Sequence, residues 1–236
     1  MNIFGRRFLK NTRQDQYKSM LKRRNIADRF NEIYEKNLWS SKESGSGEGS
    51  EIGYTQPLRQ WLIEEIPKLE VKVFVDAPCG DFNWMKEVIP NLNVNYVGLD
   101  IVASVIENNQ EKYSSDNVNF DLANICEDIL PECDLLMVRD CLFHLSNEDI
   151  NKFLQNLSQV DYKYLLTTTH VVDNNFSNKD IVTGDFRLID LFSYPFCFDR
   201  ANVLDRVNDY PKGYRIPREM ILIEKEFVPH SVKHGV

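Results

Sequence analysis

The sequence predicts an α/β fold. The expected core is a doubly wound, mostly parallel sheet of seven strands, with an antiparallel C-terminal hairpin strand and N-terminal helices. Three observations predict it. Short β-branched or apolar runs recur from Val71 onward. Helix-compatible stretches separate them, which is the rhythm of parallel β-α-β units. The chain has 236 residues, 42% hydrophobic and 27% charged, enough to bury a proper core without disulfide or metal staples.

The opening, MNIFGRRFLKNTR, is basic with scattered apolar residues. It has no continuous apolar core and no small-residue cleavage site, so it reads as a solvated tail rather than a signal peptide. From Gln14 to Asn37, the residues Tyr17, Met20, Leu21, Ile26, Phe30, Ile33 and Tyr34 recur at helical spacing and predict one or two amphipathic helices. Leu38 to Thr55 is too dense in Ser and Gly for a regular element. Gln56 to Leu69 is helical again, with Pro57 in the first turn and Thr55 as cap. Strands follow at Val71 (VKVFVDA), Asn93–Ile101, Asn117–Ile125, Glu132–Asp140 and Asp161–Val172. Helices are expected over Phe82–Ile89, Ala103–Tyr113 and Ser146–Gln159, the last opening on a capping-box variant of Ser146 with Asp149. NVLDRV and REMILIEKEFV pair as a closing antiparallel hairpin.

Lys plus Arg is 28 and Asp plus Glu is 36, a net charge of −8. Phosphate contacts need clustered cations, so bulk nucleic-acid binding is disfavoured. No apolar run reaches membrane-spanning length. The five cysteines, Cys79, Cys126, Cys133, Cys141 and Cys197, are odd in number and form no Cys-x-x-Cys. Neither a disulfide framework nor a zinc ribbon is suggested, and free thiols fit a reducing cytoplasm.

The informative stretch is VFVDAPCGDFNW, Val73 to Trp84. An apolar strand ends in Asp76, turns through Ala77, Pro78, Cys79 and Gly80, and enters the next element at Asp81. In open α/β sheets ligands sit at the carboxyl ends of strands beside such turns. Asp100 stands twenty residues after Gly80, at the end of YVGLD, where a carboxylate accepts two ribose hydroxyls. The phosphate-binding Gly-x-Gly-x-x-Gly is absent, and no Gly-Lys-Ser or Gly-Lys-Thr follows, which excludes a P-loop. Two carboxylates at the turn oppose a pyrophosphate and welcome a cation. That preference selects S-adenosylmethionine, a phosphate-free adenosyl cation, over NAD. Cys79, with no base nearby in sequence, reads as a small turn residue.

VFVDAPCGDFNW resembles the first motif of class I S-adenosylmethionine-dependent methyltransferases, with Pro78 in place of the first Gly and Phe82 in place of the last. YVGLDI resembles the second-strand motif, and ANICEDILPECDLLMVRDCLFHLSNEDI the later ones. The resemblance implies a Rossmann-like sheet and a cofactor set of Asp76, Ala77, Cys79, Gly80, Asp81, Asp100, Ile101, Asn124, Ile125 and Arg139, with Asn124 and Ile125 at the adenine. NLWSSKESGSGEGS, DAPCGDFNWMKEV and TGDFRLIDLFSYPFCF together resemble a group of small bacterial methyltransferases, some of which accompany surface-polysaccharide biosynthesis. This implies that the Ser/Gly segment covers the cofactor, with Trp39, Ser50 and Arg59 near its methionyl end. Residues 1–70 then form helices and cover, and 71–236 the methyltransferase core with an acceptor loop at 173–200.

At the rim expected for the acceptor stand His144, His170, Asp140 and Asp173. A hydroxyl acceptor benefits from a base, and the histidines are candidates with Asp140 beside them. Thr183, Asp185 and Arg187 in TGDFR form a candidate acceptor-binding loop, Arg187 through its planar fork. No short ligand spacing supports a metal. The expected function is methylation of a small-molecule acceptor, sugar or nucleotide-linked, and by resemblance O-methylation of a sugar or sugar-linked group in bacterial surface (capsular) polysaccharide biosynthesis. The rival readings are a non-catalytic methyltransferase-like binding subunit and a nicotinamide-dependent enzyme.

Overall fold

A computed structural model describes residues 14–23, 25–210 and 217–233; the basic opening tail lies outside them. Helix α1 covers 14–20. The elements after it are α2 (Ile26–Glu35), α3 (Gln56–Glu65), β1 (Val73–Asp76), β2 (Asn95–Asp100), α4 (Ala103–Tyr113), β3 (Val118–Leu122), β4 (Cys133–Val138), α5 (Asn147–Leu157), β5 (Tyr162–His170), β6 (Val203–Asn208) and β7 (Arg218–Glu224).

The strands form one seven-stranded sheet in the order β3-β2-β1-β4-β5-β7-β6. β1 to β5 pair in parallel, and β7 runs antiparallel to both β5 and β6. The alternation of each inner strand sends neighbouring side chains to opposite faces, and both faces are buried. Val75, Leu136, Val138, Leu165 and Ile221 pack on the face that Ile150, Phe153, Leu154 and Leu157 of α5 cover. Phe74, Leu135, Met137, Leu166 and Leu222 pack on the other, against Leu58 and Leu62 of α3 and Ile106 of α4. A third small cluster joins Met20, Ile33 and Leu38 to Tyr17, Phe30 and Trp39. The strand order reverses between β1 and β4, which opens a crevice at their carboxyl ends.

Three local expectations change. The helix expected over Phe82–Ile89 is replaced by two 3-10 turns, Met85–Glu87 and Ile89–Asn91. Phe82 is the cause: its φ is +56°, which stops a right-handed helix at once. Its ring packs on Tyr96, Tyr113 and Phe120, with centroids 5.1 to 5.3 Å away. The third strand ends at Leu122, because Asn124 turns the chain: its Oδ1 accepts from Cys126 N, and its N–H donates to Asp128. Thr55 makes no side-chain cap on α3; its hydroxyl donates back to Glu51 O at 3.1 Å. Ser146 does cap α5, accepting from Asp149 N.

Candidate active site

A crevice opens at the carboxyl ends of β1, β2 and β4. Asp76, Cys79, Gly80, Asp100, Ile101, Asn124, Ile125 and Arg139 of the expected cofactor set line it, with Trp39 and Ser50 from the Ser/Gly segment and Asp140 and His144 from the expected catalytic set.

The turn after β1 is built around Gly80. Its φ is +56°, and a Cβ there would meet Ser46 Oγ at 2.3 Å, so both backbone and space demand glycine. Asp100 Oδ2 accepts from Gly80 N at 3.0 Å, and its Oδ1 accepts from Val102 N at 3.0 Å. Asn109 of α4, buried and unremarked in the sequence, donates to Gly80 O at 2.7 Å. Ala77 donates to Met137 O in the next strand and holds the turn from behind. Asp76 accepts from Tyr96 Oη at 2.8 Å. Burial pushes the Asp76 carboxyl up to about 7 and the Asp100 carboxyl up to about 6. Burial also raises the Cys79 thiol, which makes it an inert wall residue.

Asp81 is placed differently from the expectation. Its carboxylate accepts from Ser44 Oγ at 2.9 Å, Gly45 N at 2.8 Å and Ser46 Oγ at 3.3 Å. It faces the Ser/Gly segment instead of the crevice and pins that segment onto the turn. Ser46 also bonds Tyr34 Oη at 2.7 Å, which brings α2 into the wall. Arg59 lines no part of the crevice; it donates to Thr55 Oγ1 and Ile52 O and orders the segment's exit.

Arg139 is buried and doubly bonded to Asp209, at 2.9 and 3.0 Å, with a further bond to Gly49 O. Asp140 Oδ2 is paired with Arg218 at 2.6 Å and lies 3.4 Å from Arg139. The network joins the end of β4, the hairpin strands and the Ser/Gly segment through ion pairs and the bond to Gly49 O.

The two histidines differ. His144 Nδ1 lies 2.8 Å from Asp185 O. A carbonyl only accepts, so Nδ1 carries the hydrogen and Nε2 keeps its lone pair. Burial lowers the His144 pKa and keeps the ring neutral. His170 Nδ1 accepts from Ile189 N at 3.1 Å, so its lone pair is already used; burial lowers its pKa to about 4. His170 does not line the crevice.

The TGDFR loop supports rather than grips. Arg187 is buried, donates to Asn147 Oδ1, Lys179 O and Leu145 O, and is held down to about 10 by burial. Its two Nη atoms are taken by these partners while Nε is buried without one, and it does not line the crevice, so the gripping role expected of it is not what the structure provides. Thr183 donates to Asp149 and accepts from Ser146 N. Asp185 contributes its carbonyl to His144. Asp173 is exposed and closes a turn with Asn175 and Phe176. Sequence reasoning missed Ile26, Phe30, Tyr34 and Ser46 as lining residues. The helical spacing of the first three signals burial, and nothing in it says against what.

Among the described residues, no group of three or more His, Cys, Asp or Glu residues can hold a metal, and no helix is long and apolar enough to cross a membrane. All five cysteines are free.

No protein-family profile and no curated protein sequence matches the chain. Solved structures do. Human N-acetylserotonin methyltransferase in complex with SAM is similar at 15% identity and a TM-score of 0.55, over 83% of this chain and 58% of that one. Magnesium protoporphyrin IX methyltransferase from Synechocystis PCC 6803, with bound SAH, is similar at 10% identity and a TM-score of 0.53, over 94% of this chain and 98% of that one. The [4+2]-cyclase SpnF matches at 10% identity and a TM-score of 0.53, over 72% and 81%. These likenesses establish the fold, that of the S-adenosylmethionine-dependent methyltransferases. The chain spans about 58% of the human enzyme's length.

Proposed function

We propose that this chain is a class I S-adenosylmethionine-dependent methyltransferase that methylates a hydroxyl on a small molecule. One observation carries the reading. A single crevice is lined by two buried carboxylates, Asp76 and Asp100, and by a neutral imidazole, His144, whose Nε2 keeps its lone pair. Asp100 is fixed by backbone donors on both oxygens, so its remaining lone pairs suit paired ribose hydroxyls. Asp76 has one oxygen on Tyr96 and suits an ammonium. No lysine lines the crevice among the described residues, so a pyrophosphate finds no free cation there.

S-adenosylmethionine, when bound, supplies an activated methyl group on sulfur, and the S–CH₃ pair stays with sulfur as a neutral thioether. The chain's own work is positioning and proton handling. His144 Nε2 takes the hydroxyl proton as the new O–C bond forms, and Asp185 O holds the ring while it becomes imidazolium. Asp140, ordered by Arg218, forms the wall beside it. The cover segment, held by Asp81, keeps water out. The free thiols support a reducing, cytoplasmic setting. A sugar or nucleotide-linked acceptor is implied by the motif resemblance alone.

Calorimetry with S-adenosylhomocysteine tests the reading. Binding to the wild type is expected, with none for NAD. Asp100→Ala loses two charge-assisted contacts, so affinity falls by about 100-fold or more. Wild-type affinity in the Asp100→Ala protein contradicts the assignment.

A further inference from the structure

One loop holds His144 through both its ring and its backbone. The Asp185 carbonyl accepts from ring Nδ1 at 2.8 Å, and the His144 carbonyl accepts from Gly184 N at 2.7 Å. Beside them Arg187 N donates to Phe143 O at 3.2 Å. Whatever fixes the loop therefore decides where the ring sits and which of its nitrogens carries the hydrogen.

A peptide unit is planar, so each unit of the loop turns as one piece. Three successive units are fixed at both ends. In the first, Thr183 O accepts from Arg29 Nη1 at 2.8 Å, and Gly184 N serves His144 O. In the second, Gly184 O accepts from Tyr17 Oη at 2.6 Å, and Asp185 N donates to Val182 O at 3.0 Å. In the third, Asp185 O takes the His144 hydrogen, and Phe186 N donates to Asp185 Oδ1 at 2.8 Å. Of these bonds, only those of Tyr17 and Arg29 come from outside the loop and the His144 turn. They grip the two units on either side of Gly184, whose φ is +99°. Without a Cβ to restrict rotation, that glycine is the softest joint of the loop.

Tyr17 belongs to α1 and Arg29 to α2. Arg29 is itself braced, its Nε donating to Arg23 O at 2.7 Å. Burial raises the Tyr17 hydroxyl to about 12, so it stays a donor. Neither residue lines the crevice.

We infer that Tyr17 and Arg29 are positioning residues for His144: their two bonds hold the 183–186 backbone so that the Asp185 carbonyl stays on Nδ1 and Nε2 stays bare. The inference rests on the proposed methyltransferase reading for its link to turnover; the state of the ring is read without it.

Long-range proton–nitrogen NMR of the histidine rings tests it, on the full-length protein at about pH 8, above the ordinary imidazole range. Wild type is expected to place the bare nitrogen of His144 at Nε2, a signal that His144→Gln removes. His170, which accepts at Nδ1, shows the opposite pattern and serves as the internal reference. In Tyr17→Phe and in Arg29→Ala the ratio of the Nδ1–H to the Nε2–H form of His144 is expected to fall about fivefold or more, the size of one net hydrogen bond. The His170 signals stay in place, and S-adenosylhomocysteine affinity by calorimetry stays within about twofold of wild type. Arg29→Lys, which keeps a cationic donor, is expected to restore the wild-type ratio. An unchanged ratio in Tyr17→Phe, which keeps the ring and its packing, overturns the inference. So does a change that shifts His170 equally, since that marks general loosening, or Arg29→Lys behaving like Arg29→Ala. Failure of S-adenosylhomocysteine to bind wild type defeats the methyltransferase reading separately, and the ring signals still decide the positioning.

Discussion

Two histidines at one rim have opposite hydrogen-bond roles, and backbone atoms decide which is which. His144 donates to the carbonyl of Asp185, and His170 accepts from the N–H of Ile189. RDCLFHLS and TTTHVV look equally suitable in the sequence. The deciding partners come from the 183–189 loop, 41 and 19 residues away, so local reading has no access to them. His144→Gln is expected to lower kcat by about 10²-fold or more, the usual worth of a positioned base. His170→Gln is expected to leave kcat within a few-fold of wild type. Steady-state kinetics on any accepted hydroxyl compound checks the pair, and the reverse ranking would transfer the base to His170. Arg187 teaches a similar lesson. An arginine in a Gly turn reads as a ligand clamp, yet here its donors staple Asn147, Lys179 and Leu145 together.

At the scale of elements, the Ser/Gly stretch is an ordered segment fastened to the turn after β1. Ser44, Gly45 and Ser46 surround Asp81, and Ser46 reaches Tyr34 on α2. Gly47, at φ +92°, lets the chain pass Trp39, where a Cβ would stand 3.0 Å from the Trp39 Cβ. Composition alone reads such a stretch as a linker, because Ser and Gly signal only the absence of a regular element. The pairing with Asp81 spans 35 to 37 residues and becomes visible only in three dimensions. Asp81→Ala is expected to raise the S-adenosylhomocysteine off-rate about tenfold or more, equivalent to about 1.4 kcal/mol of lost closure, with the melting temperature little changed. Stopped-flow displacement measures it. An unchanged off-rate would make the segment a fixed wall. The first strand and turn were legible because Asp76, Gly80 and Asp100 stand at strand ends at fixed spacing. The element after the turn was not, since Phe82 enters the left-handed region to bury its ring against Tyr96 and Phe120.

For the whole molecule, alternating apolar runs were sufficient to read the sheet, because parallel strands buried on both faces must be apolar throughout. The 3-2-1-4-5-7-6 strand order was within reach only through the final hairpin and the family resemblance. The fold by itself leaves the chemistry open, as a [4+2]-cyclase among the structural neighbours illustrates. What separates the readings is the field in the crevice. Asp76 and Asp100 have pKa values raised by burial to about 7 and about 6, above the ordinary aspartate value near 3.9. The folded chain therefore holds these protons more tightly than the unfolded chain. Their ionisation costs folding stability progressively as pH rises from about 4 toward 7, and the cost is constant above that. A ligand that brings an ammonium and hydroxyl donors binds the ionised forms, so it binds more tightly as pH rises through the same range and releases protons as it does. The decisive measurement is calorimetric titration of S-adenosylhomocysteine between about pH 5.5 and 7.5, in buffers of different ionisation enthalpy. The account predicts affinity that climbs across this window with net proton release. Affinity that is flat or falls, or binding with proton uptake, would contradict it.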